Sequence, residues 1–263
     1  MMRWGWGAAG LVVLMGWGLA LWGQAPRLEV TRHSVAGRPL EAAPIRVLQL
    51  SDLHLRPEPD WNAAVSKAVR DTDPDLIVLT GDMIDRPEAL PELIAFLAGL
   101  GQVPKFAVLG NWEHWSGVDL LALKSGLAQV QTTLLVNEMH VVHIRGRALR
   151  MVGLDDGTAS QPDADLLGLT DGNTVVLQHS PGWFLSPETQ RARWKAALCL
   201  SGHTHGGQLT LGGRPIWTPR GSGPFVAGFY ALDACPLYVS RGVGTSVIPV
   251  RLGARAELAV FEW

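Results

Sequence analysis

Ile45-Arg46-Val47-Leu48-Gln49-Leu50-Ser51-Asp52-Leu53-His54 joins two kinds of chemistry: an apolar run of strand composition, and an acid and an imidazole two positions apart where that run stops. The same junction recurs along the chain, at Leu79-Thr80-Gly81-Asp82, Leu109-Gly110-Asn111, Leu177-Gln178-His179 and Leu200-Ser201-Gly202-His203-Thr204-His205. In an open α/β sheet the carboxyl ends of parallel strands share one edge, and the loops there carry ligands. Strands that end on ionisable or amide groups therefore predict one convergent site built from distant pieces of chain.

Between these junctions helices and strands alternate. Trp61 to Thr72, Glu88 to Leu100 and Val118 to Val130 carry apolar residues at helical spacing, while Leu76 to Leu79 and Phe106 to Leu109 are strands, the former nearly continuous in apolar residues. His140 to Ile144 and Ala148 to Val152 flank Arg145-Gly146-Arg147 as a hairpin, and strands return at Thr174 to Leu177 and Ala197 to Leu200. Beyond residue 205 the chain is rich in Gly and Pro, with short strand candidates at Gln208 to Leu211, Gly228 to Leu232, Leu237 to Ser240 and Leu258 to Phe261. The expected fold class is α/β: two packed mixed β-sheets flanked by helices, in one domain over 45–263, with 27–44 as a linker that includes a first strand.

A chain of 263 residues that is 47% hydrophobic has enough apolar side chain for a sizeable core, and a formal net charge of -2 speaks against wrapping nucleic acid through bulk positive charge. Residues 1–26 belong to a different regime. No charged side chain occurs from Trp4 to Ala25, a length able to cross a bilayer as a helix, and Trp4, Trp6, Trp17 and Trp22 lie toward its ends. This predicts an N-terminal transmembrane helix, single-pass cell-membrane localisation and the lipid bilayer as a partner. A signal peptide led by Arg3 is the alternative, and the arginines on both flanks leave the side of the catalytic domain open. Cys199 and Cys235 sit in apolar runs and read as two buried free thiols, with a strand-to-strand bridge as the other option.

Two residues apart in an extended segment, Asp52 and His54 would point to one side, and His203 and His205 repeat the spacing. Carboxylate oxygen offered together with imidazole nitrogen suits Mn, Fe, Zn or similar ions, and the lack of thiolate in the set argues against a structural zinc site. Asp52, His54, Asp82, Asn111, His179, His203 and His205 are too many ligands for one tetrahedral centre. They fit two divalent metal ions that share a carboxylate. Two ions about 3.5 to 4 Å apart can hold a phosphate, stabilise its charge and generate hydroxide from bound water.

As ordered blocks, Asp52-Leu53-His54, Gly81-Asp82-Met83-Ile84-Asp85, Gly110-Asn111 with Glu113, His179, and Gly202-His203-Thr204-His205 resemble the calcineurin-like metallophosphoesterase family. The resemblance implies one ion held by Asp52, His54, Asp82 and His205, a second held by Asp82, Asn111, His179 and His203, and hydrolysis of a phosphoester. Gly202 to Gln208 with Ser240 to Thr245 is similar to a membrane-associated or exported subgroup that includes UDP-2,3-diacylglucosamine pyrophosphatase-like phosphoesterases. That similarity implies a phosphodiester or pyrophosphate bond in a phosphorylated, lipid-linked small molecule. One position departs from the pattern. The family's Gly-Asn-His-Asp/Glu is Gly110-Asn111-Trp112-Glu113 here, and the missing His is the one that protonates the leaving oxygen or contacts phosphate. An indole supplies no acid proton at neutral pH. His114 is the candidate replacement, and completes a catalytic set with Asp82 and Asn111.

Around this set, Asp85 and Glu113 are candidates for orienting the ligands, with a helix cap as the other reading of Asp85. Trp112, Arg220 and Arg241 are candidate substrate contacts, the arginines because a guanidinium recognises phosphate in bidentate fashion. Trp112, Trp115, Trp183 and Trp217 form either an apolar shelf for acyl chains or ordinary packing. Asp155 and Asp156 read as a turn after a strand. Two other function classes remain: a nucleic-acid or nucleotide phosphodiesterase, for which no basic groove is evident, and a non-enzymatic receptor or scaffold with a residual metal site.

Overall fold

Strand-forming runs that are apolar on both faces need two covering layers, and this chain supplies them with a second sheet on one side and helices on the other. The computed structural model describes residues 28–35 and 44–263. The chain enters through β1 (Leu28–Ser34) and β2 (Arg46–Leu50), then passes through α1 (Pro59–Asp71), β3 (Leu76–Thr80), α2 (Leu90–Ala98), β4 (Lys105–Val108), α3 (Asn111–Trp115), α4 (Leu120–Gln129) and β5 (Thr132–Leu134). The hairpin β6 (Glu138–Ile144) and β7 (Arg147–Gly153) follows, then β8 (Thr174–Leu177), α5 (Pro187–Arg191) and β9 (Leu198–Ser201). A small hairpin, β10 (Thr210–Leu211) and β11 (Arg214–Pro215), precedes β12 (Gly228–Ala231), β13 (Pro236–Val239) and β14 (Ala256–Glu262).

One sheet runs β1-β14-β2-β3-β4-β5 and the other β12-β13-β9-β8-β7-β6. Each has a parallel centre, β2 to β5 in the first and β13-β9-β8-β7 in the second, with antiparallel partners outside. The period of two along a strand sorts the side chains. Val47, Leu76, Val78, Phe106 and Val108 of the first sheet meet Met151, Val175, Leu177, Leu198 and Leu200 of the second, forming the core between the sheets. Their neighbours Leu48, Leu50, Ile77, Leu79 and Ala107 face the other way, onto Val65 and Val69 of α1, Leu93 and Leu97 of α2, and Leu123 and Leu127 of α4. A third cluster, Val176, Cys199, Leu237 and Val239 with Phe184 and Phe225, covers the outer face of the second sheet. Removing one of these fully buried leucines, as in Leu79→Ala, would cost about 2 to 5 kcal/mol.

The two-sheet α/β architecture is as expected, but its transmembrane component is corrected. Among the described residues no helix is long and apolar enough to cross a membrane. The longest helix among them, α1, has 13 residues, about 20 Å at 1.5 Å per residue against the roughly 30 Å hydrocarbon core. The segment 1–26, on which the anchor was expected, lies outside the described residues. The fold class therefore stands without the membrane helix, and the bilayer partner and single-pass membrane localisation are withdrawn with it. Of the two readings of the cysteines, the free thiols are corrected and the bridge holds. Cys199 on β9 and Cys235, just before its parallel neighbour β13, form a disulfide with Cα atoms 6.0 Å apart.

Candidate metal centre

All seven candidate ligands lie at the carboxyl ends of parallel strands. Asp52 and His54 follow β2, Asp82 follows β3, and Asn111 opens α3 directly after β4. From the other sheet, His179 follows β8, while His203 and His205 follow β9. The two sheets bring these edges together, and all seven residues are buried.

Two groups of donor atoms result, Asp52, His54, Asp82 and His205 in one and Asp82, His179 and His203 in the other, each within 4.8 Å. In the first, His205 Nε2 lies 3.2 Å from His54 Nε2 and 3.4 Å from Asp52 Oδ1. In the second, His179 Nε2 lies 3.1 Å from His203 Nδ1 and 3.2 Å from Asn111 Oδ1. Asp82 joins them through a single oxygen: Oδ2 is 3.6 Å from His54 Nε2 and 3.2 Å from His179 Nε2. Hydrogen bonds fix which ring nitrogen faces inward. His179 Nδ1 donates to the Thr80 carbonyl at 2.7 Å, and His203 Nε2 donates to the Arg220 carbonyl at 2.8 Å. In the neutral ring each therefore turns its other nitrogen, with its lone pair, toward the cluster.

The local backbone differs from the extended segment expected from the spacing. Asp52, His54, Asp82, His203 and His205 all have positive φ, between 40° and 72°. A left-handed conformation in a residue with a Cβ is strained and persists only where the surroundings over-determine it. Here His54 N donates to Asp82 O at 3.0 Å, and His203 N donates to Asp52 Oδ1 at 2.9 Å, so each loop is pinned by the next. Room for this convergence comes from glycine. A Cβ on Gly110 would collide with Asp82 Oδ1, and one on Gly81 would stand 2.7 Å from His179 Nδ1.

Glu113 ties the pieces together. Its carboxylate accepts from the backbone N–H groups of Asp82 (3.0 Å), Met83 (2.7 Å), Ile84 (3.1 Å) and Gly110 (2.7 Å), locking the bridging acid to the helix that presents Asn111. Burial and the neighbouring Asp82 push Glu113 up to about 7, against the pull of these N–H groups.

The electrostatics suit divalent cations. Burial pushes His54 down to about 4, lowers His203, and holds His205 well below its ordinary value, so these imidazoles sit in the neutral, lone-pair form. Burial pushes Asp52 up to about 6, against the pull of His179 and of the hydrogen bonds from Ser51 and the His203 N–H. At the centre, burial opposes charge on both Asp82 and His179, yet their mutual attraction outweighs it, lowering the acid and raising the imidazole. Asp82 thus recruits positive charge at the point where both clusters meet. Buried carboxylates and inward lone pairs in this arrangement fit two divalent ions.

The remaining candidates are distributed around this core. His114 Nε2 donates to Asp155 Oδ1 at 2.7 Å, and this hydrogen bond, against partial burial, raises the imidazole above its ordinary value. Asp85 caps no helix, since the short 3-10 turn after it has no side-chain cap; among the described residues its buried Oδ1 has no hydrogen-bond partner, nor has His54 Nδ1. Trp112 donates its backbone N–H to Asp82 Oδ1 at 2.9 Å, and its indole meets the His54 ring edge-on at 5.8 Å. Arg220 carries an exposed side chain on the residue whose carbonyl holds His203. Arg241 bonds Glu29 Oε2 at 2.9 Å and Glu257 Oε1 at 3.0 Å. Three residues near the centre were read from sequence as turn or left unread. Asp155 holds His114. Asp156, fully buried, accepts from Ser180 Oγ and from the backbone of Thr158 and Ala159. Arg251 packs behind His205. The two acids follow β7 as the ligands follow β8 and β9, a signal the strand-end rule offers.

Comparison with known proteins agrees with this geometry. Residues 45–207 match the family model described as calcineurin-like phosphoesterase. The chain is 32% identical to the phosphodiesterase YaeI of Escherichia coli over 97% of this chain and 95% of that protein. It is 30% identical to the uncharacterized metallophosphoesterase YkuE of Bacillus subtilis, over 94% of this chain and 89% of that one. A second Bacillus subtilis protein, the uncharacterized metallophosphoesterase YkoQ, is 27% identical over 83% of each chain. With a dinuclear ligand set at the carboxyl edges of such a fold, the chain belongs to the calcineurin-like phosphoesterase family and is a metal-dependent phosphoesterase.

Proposed function

We propose that the chain hydrolyses a phosphodiester or pyrophosphate bond in an amphiphilic, lipid-linked substrate, like the subgroup of UDP-2,3-diacylglucosamine pyrophosphatase-like enzymes. The observation that carries the hydrolytic reading is Asp82 Oδ2, which faces His54 and His179 at once and so serves both halves of the centre. Two divalent ions there, of Mn, Fe, Zn or a mixed pair, supply charge neutralisation for the phosphate and lower the pKa of water. Asp52, His54, Asp82 and His205 would hold one, and Asp82, Asn111, His179 and His203 the other. A diester is also what the similar YaeI is named for.

The chain's own groups do the rest. Trp112 stands where the resembled family pattern has its acid histidine, and its indole holds no transferable proton. His114, whose acid form Asp155 favours, donates from Nδ1 to the leaving oxygen while Asp155 fixes Nε2. The Arg220 guanidinium reaches the phosphate from solvent. Arg241 serves instead to neutralise the buried Glu257. Support for an apolar moiety lies beside the centre. The β10–β11 hairpin and the 246–252 loop are joined through the Gln208 side chain, and they expose Leu211 (77%), Ile216 (67%), Trp217 (68%) and Val247 (79%). Exposed large apolar side chains gathered on neighbouring loops are what an apolar substrate moiety would cover.

A series of diesters and pyrophosphates with leaving groups of graded pKa tests the proposal. His114→Ala should slow substrates with poor leaving groups by about 10²- to 10⁴-fold and spare those with good ones. Because the acid form acts and its pKa is raised, wild-type rates on poor leaving groups should fall as pH climbs through a value above the ordinary imidazole one. His114→Ala rates that drop equally across the series, or a pH profile identical in the variant, would sink His114 as the proton donor.

A further inference from the structure

The histidines of the centre differ in what stands behind them. His179 and His203 each donate to a backbone carbonyl, the usual arrangement, which strengthens an imidazole as a ligand. Behind His205 stands a donor. Arg251 Nη2 lies 3.3 Å from His205 Nδ1, and Arg251 Nη1 donates to the His205 carbonyl at 3.2 Å. A guanidinium has no lone pair to offer, so it cannot take a proton from that ring.

Arg251 is not held by a carboxylate. Its other bonds run to carbonyls: Nε to Gly244 O at 2.8 Å, Nη2 to Gly242 O at 3.2 Å and to Gly244 O, and Nη1 to Ala254 O at 3.4 Å. No ion pair of Arg251 occurs among the described residues. A guanidinium is a cation at any pH near neutral, so the carbonyls that surround Arg251 leave its charge in place. The cation adjoins the half of the centre that contains two carboxylates, Asp52 and Asp82, whereas the other half has only the shared Asp82. Without an opposing charge the first half would be the deeper trap for a divalent ion.

We infer that Arg251 is a positioning residue that loosens the Asp52, His54, Asp82 and His205 site, offsetting one carboxylate and weakening His205 as a donor so that its ion exchanges and keeps more of its charge. This rests on the two-ion reading of the centre. Directed at the ring and its carbonyl together, the same guanidinium also fixes the strained loop at His205.

The measurement is Mn²⁺ affinity by chelator competition, independent of turnover. His203→Ala disables the second site, and Arg251→Met is compared within that background. The ion in the remaining site should bind about 10-fold tighter when Arg251 is replaced. Arg251→Lys keeps a charge but not the reach of the guanidinium to the ring, and should tighten binding by less. It carries the test alone if Arg251→Met does not fold. Unchanged or weaker binding in the folded variants overturns the inference, since a purely structural arginine can only loosen the site when lost. Uptake of fewer than two ions by the wild-type chain would instead overturn the two-ion reading, and the inference with it.

Discussion

The two ends of the central strands handle charge in opposite ways. At the amino ends each charge has its own partner. Arg46 meets Asp73 at 2.7 Å, Arg145 meets Asp75 at 2.8 Å, and the Lys105 ammonium donates to the carbonyls of Gly101, Val103 and Val130. At the carboxyl ends the acceptors outnumber the protons: carboxylates and imidazole lone pairs converge from two sheets onto one buried point. Donors matched to acceptors hold a fold together. A surplus of inward lone pairs is a demand for cations from outside.

The sharpest way to break this contrast is Asp82→Asn, which removes the charge both halves share. Metal analysis should show loss of both ions, and kcat/KM should fall by more than the roughly 100-fold typical of a change behind the ligands. Retention of two ions at full activity would mean the carboxyl end is no different in kind from the amino end. A smaller effect is expected from Glu113→Gln. The amide would turn a donor toward backbone N–H groups that now share a carboxylate, so metal affinity or activity should drop by about 10- to 100-fold. The smallest change belongs to the other end. Asp73→Asn breaks an exposed pair with Arg46 and should shift unfolding by no more than about 1 kcal/mol with metal content untouched, as read by denaturant titration.

Much of the carboxyl end was legible because its rule is local: a strand, then a polar ligand within a few residues. That suffices for Asp52, His54, Asp82, Asn111, His179, His203 and His205, and for the strands that carry them. It fails where the partner is set by packing rather than spacing. Arg251 reaches His205 across 46 residues, and Cys235 meets Cys199 across 36, only because β13 lies beside β9. The apolar flanks of the two cysteines suggested burial, which is true, and said nothing of pairing. Short elements also escaped. α3 has five residues, too few for a periodicity signal, although Gly110 followed three positions later by Glu113 is the capping pattern that starts it. β5 has three and owes its existence to β4 beside it. The membrane helix expected from composition falls on residues 1–26, outside the described residues, and none of the described helices is long and apolar enough to take its place.

The left-handed backbone at five of the ligands limits how this centre could be copied or repaired. A protein engineer who placed the same side chains on ordinary extended strand ends would aim them along different directions and obtain the composition without the convergence. Rescue of a lost ligand should likewise favour asparagine or aspartate, which tolerate positive φ, over β-branched or longer replacements of similar donor chemistry. Sequence variation at these positions is thus filtered twice, once for the atom that faces inward and once for the backbone that turns it there.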